Sequence, residues 1–293
     1  MSHAAEANPC FLDDVAVQDA FTNTALSIVS SLGLVAERSA GPSDDLTFDA
    51  WVPSKNVGFD LHDLMGGRPG IYDRGFLRNK LVRSRAANVR YVQFFSDEWR
   101  AKEAVCRSVV TNALGSTPMK LHARDCEMNV VTALETKPFL DSSHVQGATR
   151  SSGHMLLVHP LHGIVGAVTI RTPIQKKWGH VCELARVAFK PGFSVRGGSS
   201  KMVSFVKDYA KQRAFDGILS YAELRFGTGR VYDQCGFTNV GETTVNYWYT
   251  DGAVRFDRFK YRAQPGKTEK QVVDEAGVRP VWGAGHKIFL LKL

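Results

Sequence analysis

From residue 11 to 35, apolar side chains recur every three to four positions: Phe11, Leu12, Val15, Val17, Phe21, Ala25, Leu26, Val29 and Leu32. That spacing gives one buried face of a helix. Ser39 to Asp45 is rich in Gly, Pro, Ser and Asp and reads as a loop. Two short runs, Thr47 to Val52 and Val57 to Leu61, flank Pro53 to Asn56 and predict a strand hairpin. Gly66 to Gly70 predicts a turn, residues 74–87 a helix, Arg90 to Phe95 a buried strand, and Asp97 to Leu114 a helix stopped by Gly115. From Lys120 onward strands dominate, over 121–131, 154–158, 163–171, 181–189, 217–221, 243–249 and 254–259. Helices are expected over 133–140, 199–213 and 229–235. Thr268 to Gly277 carries a capping signature and predicts a helix, followed by a strand over 287–292. The succession predicts an α/β (α+β) chain with an open mixed sheet in its second part.

A chain of 293 residues is expected to make more than one unit. The expected divisions are an N-terminal helix and loop (1–45), a first domain (46–115), a second domain (120–262) and a helix-strand extension (263–293). No apolar run approaches the ~20 residues that span a bilayer, so no membrane partner is expected. The first residues lack the basic start and apolar block of a signal peptide, and a cytoplasmic location is expected. The five cysteines, at 10, 106, 126, 182 and 235, form no CxxC pair and are expected to be reduced and mostly buried. The net charge of +8 is uneven: residues 1–115 carry 12 Lys and Arg against 14 Asp and Glu, residues 116–293 carry 25 against 15. A basic second half suits a phosphate-bearing ligand or nucleic acid. Within the first half, Arg74, Arg78, Lys80, Arg83, Arg85 and Arg90 run from residue 74 to 90 with no acid among them. They are either a solvated helix face or a phosphate-contacting face.

The densest chemistry lies between His180 and Phe237. A strand is followed by Arg196, Gly197, Gly198, Ser199, Ser200 and Lys201, then by a helix. A Gly-rich helix start leaves several backbone N–H groups unpaired at the positive end of the helix dipole, where a phosphate binds. The order strand, Gly-rich turn, helix, strand and short helix resembles the core of the GNAT-type N-acetyltransferases. Val231 to Phe237 resembles that family's segment near the acyl thioester. The resemblance implies that residues 196–201 hold the pyrophosphate of acetyl-CoA and that the backbone at Val187 and Ala188 pairs with its pantetheine arm. It also implies Glu183 as general base and Tyr232 as the acid that protonates the leaving sulfur. Val195 and Ser200 depart from the family's turn pattern, which has Gln or Arg and Gly or Ala there; Arg196 would supply the missing charge. Glu183 could instead be paired with Arg186 or Lys190, and Tyr232 could be a core tyrosine. Tyr221 and Glu223 would line the acceptor side. His144 and Gln146 match a His-x-Gln-Gly segment of the family, with no role derived.

A second resemblance runs through Phe94 to Trp99, Lys102, Ser108, Asn112, Ala123 to Glu127, Phe139 to Gly147 and Asn246 to Tyr249. It is to phage proteins related to homing endonucleases and the very-short-patch repair nuclease fold. It implies a degenerate restriction-endonuclease-like domain before the GNAT-like one, with double-stranded DNA as partner. Asp49 and Asp60 sit where two metal-binding acids belong, and His62 is the nearby histidine; the Trp-His and Tyr-His elements are missing. Together the resemblances imply an N-acetyltransferase acting on an amine of a hypermodified pyrimidine, such as 5-aminomethyl-deoxyuridine, in phage DNA. The alternatives are a metal-dependent endonuclease using Asp49, Asp60 and His62, a DNA-binding module without activity, and an enzyme making a different adenine modification.

Overall fold

The computed structural model describes residues 14–65, 71–173 and 175–293. The turn expected at Gly66 to Gly70, the start of the first helical pattern and Cys10 lie outside the described residues. Helix α1 (Asp14–Ser31) precedes strands β1 (Glu37–Ser43), β2 (Leu46–Val52) and β3 (Val57–His62), helix α2 (Phe76–Ala86) and strand β4 (Arg90–Phe95). The four strands form one sheet in the order β1-β2-β3-β4. The first three are antiparallel, and β4 runs parallel to β3 because α2 carries the chain back across the sheet. Helices α3 (Ser96–Ala101) and α4 (Glu103–Ala113) follow. Phe21, Ala25 and Val29 of α1 and Val110 of α4 bury one face against Ala50, Phe59 and Val92. Leu81 of α2 buries the other against Phe48, Trp51 and Tyr91.

Two local expectations change here. Residues 37–43 form an edge strand, not a loop: backbone pairing with β2 needs no apolar side chains, and most of β1 is exposed. Gly41 is needed because a Cβ there would lie 1.8 Å from the Leu46 carbonyl oxygen. The single helix expected over 97–114 is two, broken at Lys102, whose φ of −139° and ψ of 40° are not helical.

The second part is built on a seven-stranded sheet. Its strands are β6 (Glu127–Val130), β7 (Gly153–His159), β8 (Gly163–Arg171), β9 (Val181–Phe189), β11 (Gly217–Glu223), β12 (Thr238–Glu242) and β16 (His286–Lys292). The order is β12-β16-β11-β9-β8-β7-β6. Strand β5 (Met119–His122) pairs instead with β10 (Phe193–Arg196). The strand expected over 121–131 is therefore split, turning at Ala123–Asp125 between two different partners. Helix α6 (Gly198–Lys211) crosses from β9 to β11 and buries Met202, Val206 and Ala210 on Met155, Val168, Cys182 and Ile218. Helix α5 (Ala133–Ser143) covers the other face, with Leu140 on Leu156, Ala167 and Ala188.

Short helix α7 (Arg230–Gln234) leads into β12, and the chain then leaves the main sheet. Strands β13 (Tyr247–Thr250), β14 (Arg255–Phe256) and β15 (Arg279–Trp282) make a small sheet, joined by helix α8 (Glu269–Glu275). Strand β16 returns to the main sheet between β12 and β11. The segment expected as a terminal extension thus supplies an interior strand. The cysteines at 106, 126, 182 and 235 are free, and all but Cys235 are buried. No helix among the described residues is long and apolar enough to cross a membrane.

Candidate active site in a splayed cleft

Strands β9 and β11 run parallel and are paired only from Val181/Gly217 to Leu184/Ser220. Beyond that point β9 stays with β8 and β11 stays with β16, so the sheet opens between them. The cause is local. Thr169 pairs with Arg186 and Ile170 with Leu184, leaving Ala185 as an extra residue in β9. Such a bulge bends its strand and re-aims it. The result is a cleft of about 1160 Å³. Val187 and Ala188 lie past the bulge, on the cleft edge of β9, with no strand paired to them on that side among the described residues.

The start of α6 borders the same cleft through Val195 and Ser199. Gly197 is its N-cap residue, with φ 77°, a conformation that favours glycine. A Cβ on Gly198 would lie 2.6 Å from the Phe189 ring. The first intrahelical bond is from Lys201 N–H to the Gly197 carbonyl, at 2.9 Å, and no side chain caps the helix. The N–H groups of Gly198, Ser199 and Ser200 are therefore left open at the positive end of the helix. Arg196 and Ser200 are exposed beside them. Lys201 departs from its expected role. Its ammonium donates to the carbonyls of Ala123 (2.9 Å) and Cys126, fixing the turn between β5 and β6.

Glu183 and Tyr232 both line the cleft. Glu183 is 4% exposed, and its Oε1 accepts from Arg171 Nε (3.1 Å) and Nη2 (2.6 Å). Its partner is thus neither Arg186 nor Lys190 but Arg171, which sits opposite it on β8. The Arg186 Nε donates to the Gly147 carbonyl at 2.9 Å. Tyr232 stacks on Phe289 with ring centroids 5.0 Å apart. Burial raises the pKa of its hydroxyl, against a smaller opposite effect of a hydrogen bond with Ser220. It is protonated at neutral pH and has a proton to give. Tyr221 accepts from Trp178 Nε1 at 3.2 Å, and burial raises its pKa too. The His144 Nδ1 accepts from the Gln146 N–H at 3.1 Å, a turn-stabilising bond, and Gln146 reaches Glu223 at 3.4 Å. Burial lowers the His144 pKa to about 3, helped by Arg186 and Lys102.

Sequence reasoning did not pick out three parts of this cleft. His286 of β16 lines it, having been assigned to a terminal extension. Arg258 and Phe259 line it from the segment between β14 and α8. Val105, Ser108, Val109 and Asn112 of α4 close one side, with Ser108 Oγ accepting from the Gly192 N–H at 3.0 Å. The Arg171–Glu183 pair was readable by writing the β8–β9 hairpin in register. The basic-aromatic alternation from Arg255 to Arg262 was also visible.

The first half holds its charges differently from expectation. Asp49 and Asp60 do come together, on neighbouring strands, at 1% and 0% exposure. Asp60 accepts from the Asp49 N–H (2.9 Å) and Asp49 from the Leu61 N–H (2.8 Å). Lys80 and Tyr91 also bond to Asp60. Lys80 places a positive charge on the pair from within. Among the described residues no group of three His, Cys, Asp or Glu is placed to hold a metal. His62 is 1% exposed and neither ring nitrogen has a hydrogen bond. The expected basic face is largely an internal contact. Arg78 pairs with Glu242 and donates to the carbonyls of Thr243 and Ala284, both at 3.2 Å. Arg85 donates to Gly227, Arg74 lies over Trp282, and Arg90 donates to Ala113.

A buried charge network joins the two parts. Arg225 is 0% exposed and grips Glu98 with Nη1 (2.9 Å) and Nη2 (2.8 Å) and Glu223 with Nε (2.7 Å). Arg255 adds contacts to Asp97 at 3.0 Å and Glu98 at 2.6 Å. Burial pushes the Glu98 carboxyl up, but Arg225 and Arg255 outweigh it and hold it at about 2.

No family model matches the chain, and no curated protein matches it. Among solved structures, it is similar to a GNAT-family acetyltransferase from Bacillus anthracis (11% identity, 47% of this chain and 65% of that one, TM-score 0.29). The chain thus spans just under two thirds of that protein. It is also similar to the ribosomal-protein-S18-alanine N-acetyltransferase from Escherichia coli (9%, 57% and 93%, TM-score 0.36). A third is a GNAT-family acetyltransferase from Elizabethkingia anophelis with acetyl-CoA bound (10%, 58% and 99%, TM-score 0.33).

Proposed function

We propose that the chain is an acetyl-CoA-dependent N-acetyltransferase whose acceptor is an amine on a nucleobase. The observation that carries the reading is the opening of the sheet at the Ala185 bulge, beside an uncapped helix start. A long donor fits such a cleft. The free β9 edge at Val187 and Ala188 suits the amide groups of a pantetheine arm, and the N–H groups of Gly198, Ser199 and Ser200 suit a pyrophosphate. Arg196 adds charge there. Tyr232 holds a proton near the cleft floor and can deliver it to a departing thiolate.

The acceptor end supports the finer part of the reading. Arg258 lies 4.8 Å and Arg262 3.7 Å from the Phe259 ring, which is 49% exposed. Lys177 lies 4.8 Å from the Trp178 ring, whose Nε1 donates to Tyr221 of the cleft lining. Cations beside exposed aromatic faces suit phosphates and unstacked bases. A base acted on in this cleft has to leave its helix. An alkylamine such as that of 5-aminomethyl-deoxyuridine is a better nucleophile than the exocyclic amines of ordinary bases.

The test is a thermal shift with acetyl-CoA, followed by mass analysis of an oligonucleotide carrying 5-aminomethyl-deoxyuridine. At a hundredfold excess over Kd the donor adds about 2.7 kcal/mol of apparent stability. Arg196→Glu should reduce that shift, and the oligonucleotide should gain one acetyl group. No shift at millimolar donor would sink the acetyltransferase reading. A shift without modification of any amine-bearing oligonucleotide would sink the acceptor.

A further inference from the structure

Glu183, Glu223 and His286 line the cleft together. Two are already engaged. Glu183 is held by two N–H groups of Arg171, and Glu223 by Arg225. Both carboxylates therefore already have an oxygen committed to a guanidinium. His286 is different. No hydrogen bond reaches either of its ring nitrogens among the described residues, while its backbone is fixed from both sides. The N–H of His286 donates to Thr243 Oγ1 at 2.9 Å, and its carbonyl accepts from the Thr243 N–H at 2.9 Å. On β16 it stands opposite Glu223 of β11, with its ring 6.4 Å from that of Tyr221 and at 89° to it.

Resting on the acetyltransferase reading, the geometry points to His286 as the general base that removes the proton from the acceptor amine, in place of Glu183. The groups facing it are Tyr221 and Glu223 of β11, Arg225 just beyond, and Arg258 across the cleft. Arg78 lies behind it, 2.9 Å from where a Cβ on Gly285 would stand. Burial lowers the His286 pKa, Glu223 opposes that and Arg225 adds to it, so the ring is neutral at neutral pH. A neutral ring with an open nitrogen accepts a proton; Glu183 then keeps Arg171 in place.

The ammonium form of the acceptor gives one proton to His286. The freed lone pair forms the new C–N bond to the acetyl carbonyl carbon, and the C–S bond breaks with its electron pair going to sulfur. Tyr232 protonates the thiolate and is replenished by the second proton leaving nitrogen. His286 releases its proton to solvent, so one amide, one thiol and one proton result.

The experiment uses the full chain with 13C-labelled histidine, the His286 signal being assigned by its absence in His286→Asn. The expected His286 pKa lies below the ordinary value of about 6.5. His286→Asn should keep the acetyl-CoA thermal shift but lose about 100-fold in kcat on the 5-aminomethyl-deoxyuridine oligonucleotide, along with the acid limb of the rate profile. Glu183→Gln should keep that limb. A His286 pKa of about 7 or above, or His286→Asn turning over within threefold of the wild type, overturns the assignment. A wild type that ignores acetyl-CoA takes down the acetyltransferase reading together with it. A wild type that binds and transfers while His286→Asn does the same removes only the role of His286.

Discussion

His62 offers a direct test of how the first sheet is sealed. It sits on β3 at 1% exposure, with neither ring nitrogen hydrogen-bonded and its ring 5.8 Å from that of Phe95. Burial lowers its pKa to about 4; Asp60 acts against this, and Lys80 and Arg225 act with it. In the unfolded chain the same ring titrates at about 6.5. Between those values the unfolded state binds more protons, so stability is fully present above about pH 6.5 and falls as pH drops toward about 4. At about 1.4 kcal/mol per pH unit, the gap between about 6.5 and about 4 comes to about 3.5 kcal/mol. His144 titrates in the same direction, so only a comparison isolates His62. The assay is urea unfolding of the wild type and His62→Leu at pH ~7 and ~4.5, reading the change in free energy between the two pH values. The wild type should lose about 2 to 3 kcal/mol more than the variant over that interval. Parallel losses in the two proteins would refute a buried, neutral His62.

Arg225→Met should cost about 3–5 kcal/mol in urea unfolding, because it takes the guanidinium from Glu223 and leaves Glu98 with Arg255 alone. The Glu98 carboxyl is held at about 2, so its contribution should be intact above about pH 4.5 and disappear as pH falls toward 2, read as loss of near-UV circular dichroism. Gly197→Ala should cost about 1–2 kcal/mol through its positive φ, and should shrink the acetyl-CoA thermal shift. Tyr232→Phe should leave that shift unchanged and lower kcat by about 100-fold, measured as thiol release.

The hydrophobic pattern carried most element positions because burial repeats with the period of each element. The helix at Ser199 to Arg213, the strand at Val181 to Phe189 and the hairpin around Pro53 to Asn56 are all found near where alternation places them. The failures have a common cause. Strand β1 has no apolar pattern because its stabilisation is backbone pairing at a sheet edge. Strand β16 was readable as a strand, but its place between β11 and β12 follows from a contact across the 43 residues that separate β12 from β16, which no local signal encodes. The same distance hid His286 from the site. The basic residues of α2 were legible as charges; that Lys80 reaches Asp60 depends on how α2 lies on the first sheet, and that Arg78 reaches Glu242 on how the two parts dock.

That docking also decides what the cleft is. Strand β11 ends at Glu223, and Arg225, two residues later, ties Glu223 to Glu98 at the start of α3. Helix α4 follows directly and lines the cleft through Val105, Ser108, Val109 and Asn112. Part of the cleft wall therefore belongs to the first part of the chain, and Arg225, which holds the carboxylate opposite His286, is itself gripped by Glu98 of that part. Arg225→Met and His286→Asn should then show non-additive effects on kcat, because Arg225 holds the Glu223 carboxylate that stands opposite His286. Strict additivity in a double-mutant cycle would mean that the first part only covers the cleft and does not shape its chemistry.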